Sequence, residues 1–276
     1  RQVIAVLLAT ALAGSAVAQT APKPAAIPAT APPAPLVMPP DIAKLGDADA
    51  ICFVASANMA VIVASAPANA QVDRQKLDSF AQHQIAFAMG RLIGRVGDER
   101  AQTLANQAAK AYVTADTKID KRPIMSWCLH NQSSQVNAFP TYMNAGYKIA
   151  QERMARGRDT PKMEAVDPDS LCLVLMGIAL PGTIERAKQG DARAHDGVNL
   201  LEQTQAYYMG RTLSKARTSP IDQTLADAVL SVTPSYNAGD ETTLMANARR
   251  CTSAYSVARV ALFQAASKGA DAPKTR

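Results

Sequence analysis

Residues 47–52 read DADAIC, and residues 167–172 read DPDSLC. The two stretches lie at an offset of 120 and place acidic, small, apolar and cysteine residues in the same order. Self-similarity at a fixed period is the signature of a repeated structural unit. The sequence therefore predicts that one segment is present twice, and this repeat decides the expected fold.

Further matches extend the two copies along the chain. Residues 86–91 read AFAMGR and residues 206–211 read AYYMGR, again at an offset of 120. Residues 102–106 (QTLAN) return at an offset of 121 as QTLAD. A drift of this size is expected from short insertions in loops, so the repeat covers most of each copy.

Each copy has one cysteine near its start and one near its end, and the four are Cys52, Cys128, Cys172 and Cys251. Four cysteines allow three connectivities. If each copy folds by itself, it closes its own bridge, which predicts Cys52–Cys128 and Cys172–Cys251. Bridges over such long loops contribute roughly 4–5 kcal/mol in the chain-entropy model and persist in oxidising compartments. Free reactive thiols are the alternative, whereas the spacing excludes CxxC redox, haem-attachment and paired-cysteine zinc motifs.

The first residues have the features of an export signal. Arg1 precedes an apolar run over residues 3–13, and Ala16, Val17 and Ala18 form a small-residue cleavage site. The run is shorter than the roughly 20 residues that span a bilayer. We expect a signal peptide over residues 1–18 and a periplasmic or secreted protein with no stable membrane span after cleavage.

The rest of the chain divides by composition. Residues 19–40 are almost only Ala, Pro and Thr, a composition that favours an extended, disordered linker. The segments expected after this linker are helical repeat 1 (41–140), a linker helix (141–165), helical repeat 2 (166–268) and a disordered tail (269–276).

The composition after the linker is rich in Ala and poor in aromatic residues, which favours helices. The predicted fold class is all-α: a tandem duplication of a four-helix, disulfide-stapled, bundle-like module, preceded by the signal peptide and the Ala/Pro-rich linker. In the first copy we expect helices at about 51–64, 75–96, 98–114 and 124–137, and an amphipathic helix near 142–156 that joins two separate bundles.

Local signals place several helix ends. Asp47 and Asp167 are good N-cap residues, and Pro168 suits the first helical position. In the second copy, Pro181 is expected to end the first helix after Leu180, and Ser219 to cap the third. The first helix of each copy is apolar all round, which predicts a buried central helix.

The Met-Gly-Arg triplet in both copies is the candidate ligand site. Gly costs about 1 kcal/mol inside a helix, so Gly90 and Gly210 should allow a close helix contact. One helical turn brings Phe87 beside Arg91, and Tyr207 beside Arg211. An aromatic ring beside a guanidinium could hold an anionic or planar ligand. The alternative is that each Arg pairs with a carboxylate of its own copy, such as Asp47, Asp49, Asp167 or Asp169.

Other chemistries lack support in the sequence. The three histidines, His83, His130 and His195, have no histidine counterpart in the other copy, so no metal site or cofactor is predicted. Walker-type, GxGxxG and GxSxG motifs are absent. The net charge is +6, but the basic residues are scattered, which argues against nucleic-acid binding.

Three functions remain. The leading hypothesis is a non-enzymatic envelope protein that acts through protein contacts or scaffolding, with a partner and an oligomeric state that the sequence does not specify. The first alternative is a binding module for a small anionic or hydrophobic ligand, with one site per repeat. The second is an enzyme with a site between the repeats.

Overall fold

The structure is a computed structural model, and it describes residues 37–65, 73–114, 121–157, 160–216 and 219–271. The predicted signal peptide lies outside the described residues. So do residues 19–36 of the predicted linker and residues 272–276 of the predicted tail.

The described residues form an all-helical fold without strands. A 3₁₀ turn spans Met163–Ala165. The α-helices are α1 (Pro40–Ala43), α2 (Ala48–Ser65), α3 (Arg74–Val96), α4 (Asp98–Thr114), α5 (Arg122–Ala155), α6 (Pro168–Lys188), α7 (Ala192–Ser214), α8 (Ile221–Asn237) and α9 (Glu241–Ala270).

The aspartate caps lie where the sequence predicts them. The Asp47 carboxylate accepts hydrogen bonds from the backbone N–H groups of Asp49 and Ala50, and Asp167 accepts one from Ser170. The prediction for Ser219 is wrong, because Pro220 occupies the N-cap position of α8 and no side chain caps this helix.

Four helices lie side by side in the order α2, α3, α7, α6. The two in the middle, α3 and α7, are parallel and touch through their backbones. A Cβ atom at Gly90 would overlap the carbonyl oxygen of Tyr207, and one at Gly210 would overlap that of Phe87. The predicted use of both glycines is thus confirmed, since only glycine leaves room for this approach.

We call the part of the chain through α5 the first half and the part from α6 onward the second half. The remaining long helices each pack on a helix of the opposite half. α4 packs on α9, where the Asn106 side chain donates a hydrogen bond to the Ala265 carbonyl. α5 packs on α8, where Gly146 lies so close that its Cβ would be 2.8 Å from the Leu225 Cβ. The halves are therefore interlocked and are not the two separate bundles that the sequence suggested.

Two helices continue past a point where the sequence predicted an end. α5 runs through Pro140 and joins the predicted fourth helix to the predicted linker helix. α6 runs through Pro181 to Lys188. A proline removes one backbone donor and crowds the preceding turn. The packing of α5 on α8 and of α6 on α7 outweighs this local cost. Such contacts between distant segments cannot be predicted from a local sequence pattern.

Two disulfides tie the first and last long helix of each half. Cys52 of α2 bonds to Cys128 of α5, and Cys172 of α6 bonds to Cys251 of α9, the pairing favoured by the repeat. All four cysteines are buried.

The apolar helices α2 and α6 are both long and apolar enough to cross a membrane by length and composition. In this structure, most of α6 and the N-terminal part of α2 are buried in the core. The last turns of α2 differ from the predicted buried helix, because Val61 and Ile62 are 65% and 61% exposed.

The close α3–α7 contact gives a stability test. Gly90→Ala should lower the free energy of unfolding by about 1–3 kcal/mol, because the added methyl group meets a backbone carbonyl and the helices must move apart. The control is Gly182→Ala on α6, where a Cβ meets nothing within 4 Å. This change should leave stability equal or higher by up to about 1 kcal/mol. Urea denaturation of both variants measures the difference, and equal effects would contradict the contact.

Candidate functional site

The predicted ligand residues lie together where α3 and α7 touch. The side chains of Phe87 and Tyr207 are buried, at 2% and 3% exposure. Their backbone carbonyls face Gly210 and Gly90 of the neighbouring helix. The Tyr207 ring already packs against Tyr208 and Tyr255, with the Arg211 guanidinium over it, so protein side chains occupy the place of a ligand.

In the first half, two arginines near the end of α3, Arg91 and Arg95, pair with the acidic start of α2. Arg91 Nε lies 2.9 Å from Asp49 Oδ1, and another nitrogen of Arg91 donates to the Gln135 side chain. Arg95 Nε lies 3.1 Å from Asp49 Oδ2, and its Nη2 lies 2.6 Å from Asp47. These pairs fix α3 antiparallel to α2.

The second half has the same arrangement with a lysine in place of one arginine. Arg211 Nε lies 2.6 Å from Asp169 Oδ1, and Arg211 Nη1 donates to the Tyr207 hydroxyl at 3.0 Å. Lys215 Nζ lies 2.6 Å from both Asp167 and Asp169. The Asp169 side chain is only 3% exposed.

The ionisation of these groups follows from their partners. Burial alone would raise the pKa of Asp167, but hydrogen bonds from Lys215 and Ser170 outweigh burial and hold the pKa below its ordinary value of 3.8. Burial alone would lower the pKa of Arg211, but Tyr207 and Asp169 raise it above its ordinary value. In the second half, Asp167 and Asp169 thus face two cationic side chains, Arg211 and Lys215.

The structure thus supports the structural alternative for Arg91 and Arg211. Each guanidinium is paired with a buried carboxylate of its own half, and removing such a partner to admit a ligand would leave a buried charge. The ligand role predicted for Phe87, Arg91, Tyr207 and Arg211 gains no support from this geometry.

The histidines are placed apart from one another. His83 shares a hydrogen bond of 2.6 Å between its Nδ1 and the Ser79 carbonyl, and its Nε2 lies 3.5 Å from Glu202 across the α3–α7 contact. Within the described ranges, no three His, Cys, Asp or Glu side chains group as metal ligands do.

Sequence reasoning missed a cleft on the second half. It lies between α6, α7 and α9 and has a volume of about 270 Å³. One arginine from each of these helices lines it: Arg186, Arg193 and Arg249. Its floor is apolar, with Ala194, Leu201 and Ala248 buried. We call this feature the arginine cleft.

The three arginines of the cleft differ in their partners from Arg91, Arg95 and Arg211, which form ion pairs. Among the described residues none of the three forms an ion pair, and Arg186 donates only to the Thr183 hydroxyl at 3.2 Å. One carboxylate lines the cleft, that of Asp191, and it accepts from the backbone N–H groups of Arg193 and Ala194 at the start of α7.

The sequence of the first half has no arginine at the corresponding positions. At offsets of 120 and 123, the three arginines correspond to Ala66, Asp73 and Ser126. No sequence motif marks the cleft, because Arg249 joins the other two only through the packing of α9.

The end of the α2–α3 pair where the chain passes from α2 to α3 carries large exposed apolar side chains. Val61 and Ile62 belong to α2, and Leu77 and Phe80 belong to α3, where they are 40% and 42% exposed. The antiparallel register set by the Asp49–Arg91 pair brings Val61 level with Phe80. We call these four residues the apolar end surface.

Compared with protein-family models, with curated proteins and with solved structures, the chain matches none. Functional proposals therefore rest on the geometry of this chain.

The buried ion pairs give a second stability test. Arg211→Ala should lower the free energy of unfolding by about 3 kcal/mol, at the low end for a broken buried pair, because Lys215 still faces Asp169. Lys188→Ala, which removes an exposed pair with Glu185, should cost less than about 1 kcal/mol. Urea denaturation measures both. A wild-type stability for Arg211→Ala would contradict a structural role.

Proposed function

We propose that this chain is an exported, non-enzymatic helical protein that acts by binding a partner protein in the cell envelope. The observation that carries the proposal is the apolar end surface. Four large apolar side chains are exposed at the same end of one helix pair, and exposed apolar patches are typical of interaction sites. The partner should present an apolar surface of its own.

Export is supported by the N-terminal sequence and, independently, by the two disulfides. Residues 1–18 read as a signal peptide, and residues 19–40 read as a tether between that signal and the helical part. The two disulfides are compatible with an oxidising compartment, in which such bonds persist. The proposed location is the periplasm or the extracellular space.

A non-enzymatic role is supported by the use of the charged side chains. The most deeply buried acidic and basic groups, those around Asp49 and Asp169, are engaged in ion pairs that join α2 to α3 and α6 to α7. Such pairs stabilise a scaffold and leave no free base or nucleophile among their own members.

We infer that the scaffold arose by duplication. Asp49 pairs with Arg91 as Asp169 pairs with Arg211, and the members of the two pairs correspond at an offset of 120. Gly146 and Gly269, at an offset of 123, both pack closely against a helix of the opposite half.

The apolar end surface belongs to one half only. Its counterparts at an offset of 120 are Pro181, Gly182, Gly197 and Leu200, and three of these four lack a large side chain. The proposal therefore predicts one partner per chain.

Site-specific crosslinking in the native host tests this proposal. A photoreactive residue at Ile62 should give one discrete crosslinked product, and the additional change Phe80→Ser should reduce it about tenfold, because a contact residue is lost. The matched control is the same photoreactive residue at Val257 of α9, which is 71% exposed and lies outside the surface.

A thermal unfolding curve first shows that Phe80→Ser leaves the fold intact. Equal products from positions 62 and 257, or none from position 62, would contradict the proposed surface. Turnover of a substrate that a single substitution abolishes would contradict the non-enzymatic role.

A further inference from the structure

We propose that the arginine cleft binds a small amphipathic anion: a compact apolar group that carries one carboxylate or similar anionic head. This site is separate from the apolar end surface, and it concerns a small molecule instead of a protein partner. It also differs from the ligand site predicted at the Met-Gly-Arg triplets.

The charges of the cleft call for an anionic ligand. Arg186, Arg193 and Arg249 come from three different helices and line one volume of about 270 Å³. All three arginines are exposed to solvent. A cleft lined by one sign of charge attracts ions of the opposite sign. Elsewhere in this chain cations share a carboxylate, since Asp49 and Asp169 each face two of them.

Among the described residues that line the cleft, the one carboxylate is that of Asp191, and it is engaged elsewhere. Asp191 Oδ1 accepts hydrogen bonds at 3.0 and 3.3 Å from backbone N–H groups, as the cap of α7. No ion pair joins Asp191 to any of the three arginines in the part of the chain that the structure describes. An external anion could accept from the three guanidinium groups, which present planar donors suited to carboxylates.

The floor of the cleft calls for an apolar group on the same ligand. Ala194 and Ala248 are buried, and the side chains of Leu200 and Met245 are 38% and 37% exposed beside them. Inorganic anions would leave this apolar surface in water. A ligand with an apolar body would cover it, which adds a favourable contribution in proportion to the area removed from water.

The size of the cleft limits the ligand. At about 270 Å³ the cleft falls just below the range typical of drug-sized ligands. A short acyl chain or a single aromatic ring with one acidic group fits this description. Since the first half lacks all three arginines, the chain should bind one such ligand, in contrast to the one site per repeat expected from the sequence.

Isothermal titration calorimetry on the full chain tests the proposal with three probes. Octanoate carries both required features, acetate lacks the apolar group, and octylammonium reverses the charge. Octanoate should bind at one site per chain, and the other two probes should bind at least about tenfold more weakly. This difference reflects the loss of apolar burial for acetate and of charge-assisted hydrogen bonds for octylammonium.

A pair of adjacent arginines provides the matched control. Arg249→Ala should weaken octanoate binding about tenfold, whereas Arg250→Ala removes the same charge from the next residue of α9 and should leave binding unchanged, because Arg250 does not line the cleft. Equal effects of both variants, or equal binding of octanoate and octylammonium, would overturn the proposal.

The head group could belong to a free molecule or to a lipid. Sedimentation with anionic phospholipid vesicles separates these sources. The proposal expects no Arg249-dependent binding to vesicles, and vesicle binding that Arg249→Ala abolishes would overturn the assignment to a small free ligand.

Discussion

The rest of the structure depends on the backbone contact between α3 and α7. Gly90 and Gly94 on one helix, and Gly210 on the other, let two parallel helices approach without intervening side chains. Arg91 and Arg211 follow these glycines directly and turn away from the contact toward Asp49 and Asp169. The central pair therefore positions α2 and α6, and the disulfides tie α5 and α9 to those two helices.

The interlocked arrangement follows from this constraint. Because α3 and α7 lie side by side, α4 of the first half is next to α9 of the second, and α5 is next to α8. Gly146 and Gly269 make these crossed contacts close, as Gly90 and Gly210 do at the centre. Each half thus contributes helices to the surroundings of the other.

Patterns that act within one helix or one turn could be predicted from the sequence. The aspartate caps, the ranges of α3 and α4 and the all-helical class belong to this group, and the disulfide pairing followed from the repeat. The path of α5 could not be predicted from local signals, because Pro140 reads as an interruption while the tertiary contacts that carry the helix past it are distant in sequence. The offset of 123 that relates Cys128 to Cys251 also relates Gly146 to Gly269, so a longer alignment would have joined the two predicted helices.

For the candidate sites too, local features could be predicted from the sequence and tertiary contacts could not. A glycine in mid-helix correctly indicated a close contact, yet the aromatic side chain beside it is buried and the arginine pairs with a carboxylate of its own half. The surfaces that we propose to be functional are the ones that differ between the halves. Where the first half presents Leu77 and Phe80 to solvent, the second has Gly197 and Leu200 at the edge of the arginine cleft. Under the proposed duplication, the two copies keep the same ion pairs and close glycine contacts and differ at these ends.

The most direct test of this account is to cut the chain between its halves. A protease site inserted between Gly157 and Thr160 separates the halves without breaking either disulfide. The account predicts that the two fragments elute together at the position of the intact chain in native buffer and separate only in denaturant, because α3–α7, α4–α9 and α5–α8 contacts hold them. Fragments that separate in native buffer would contradict the interlocked fold.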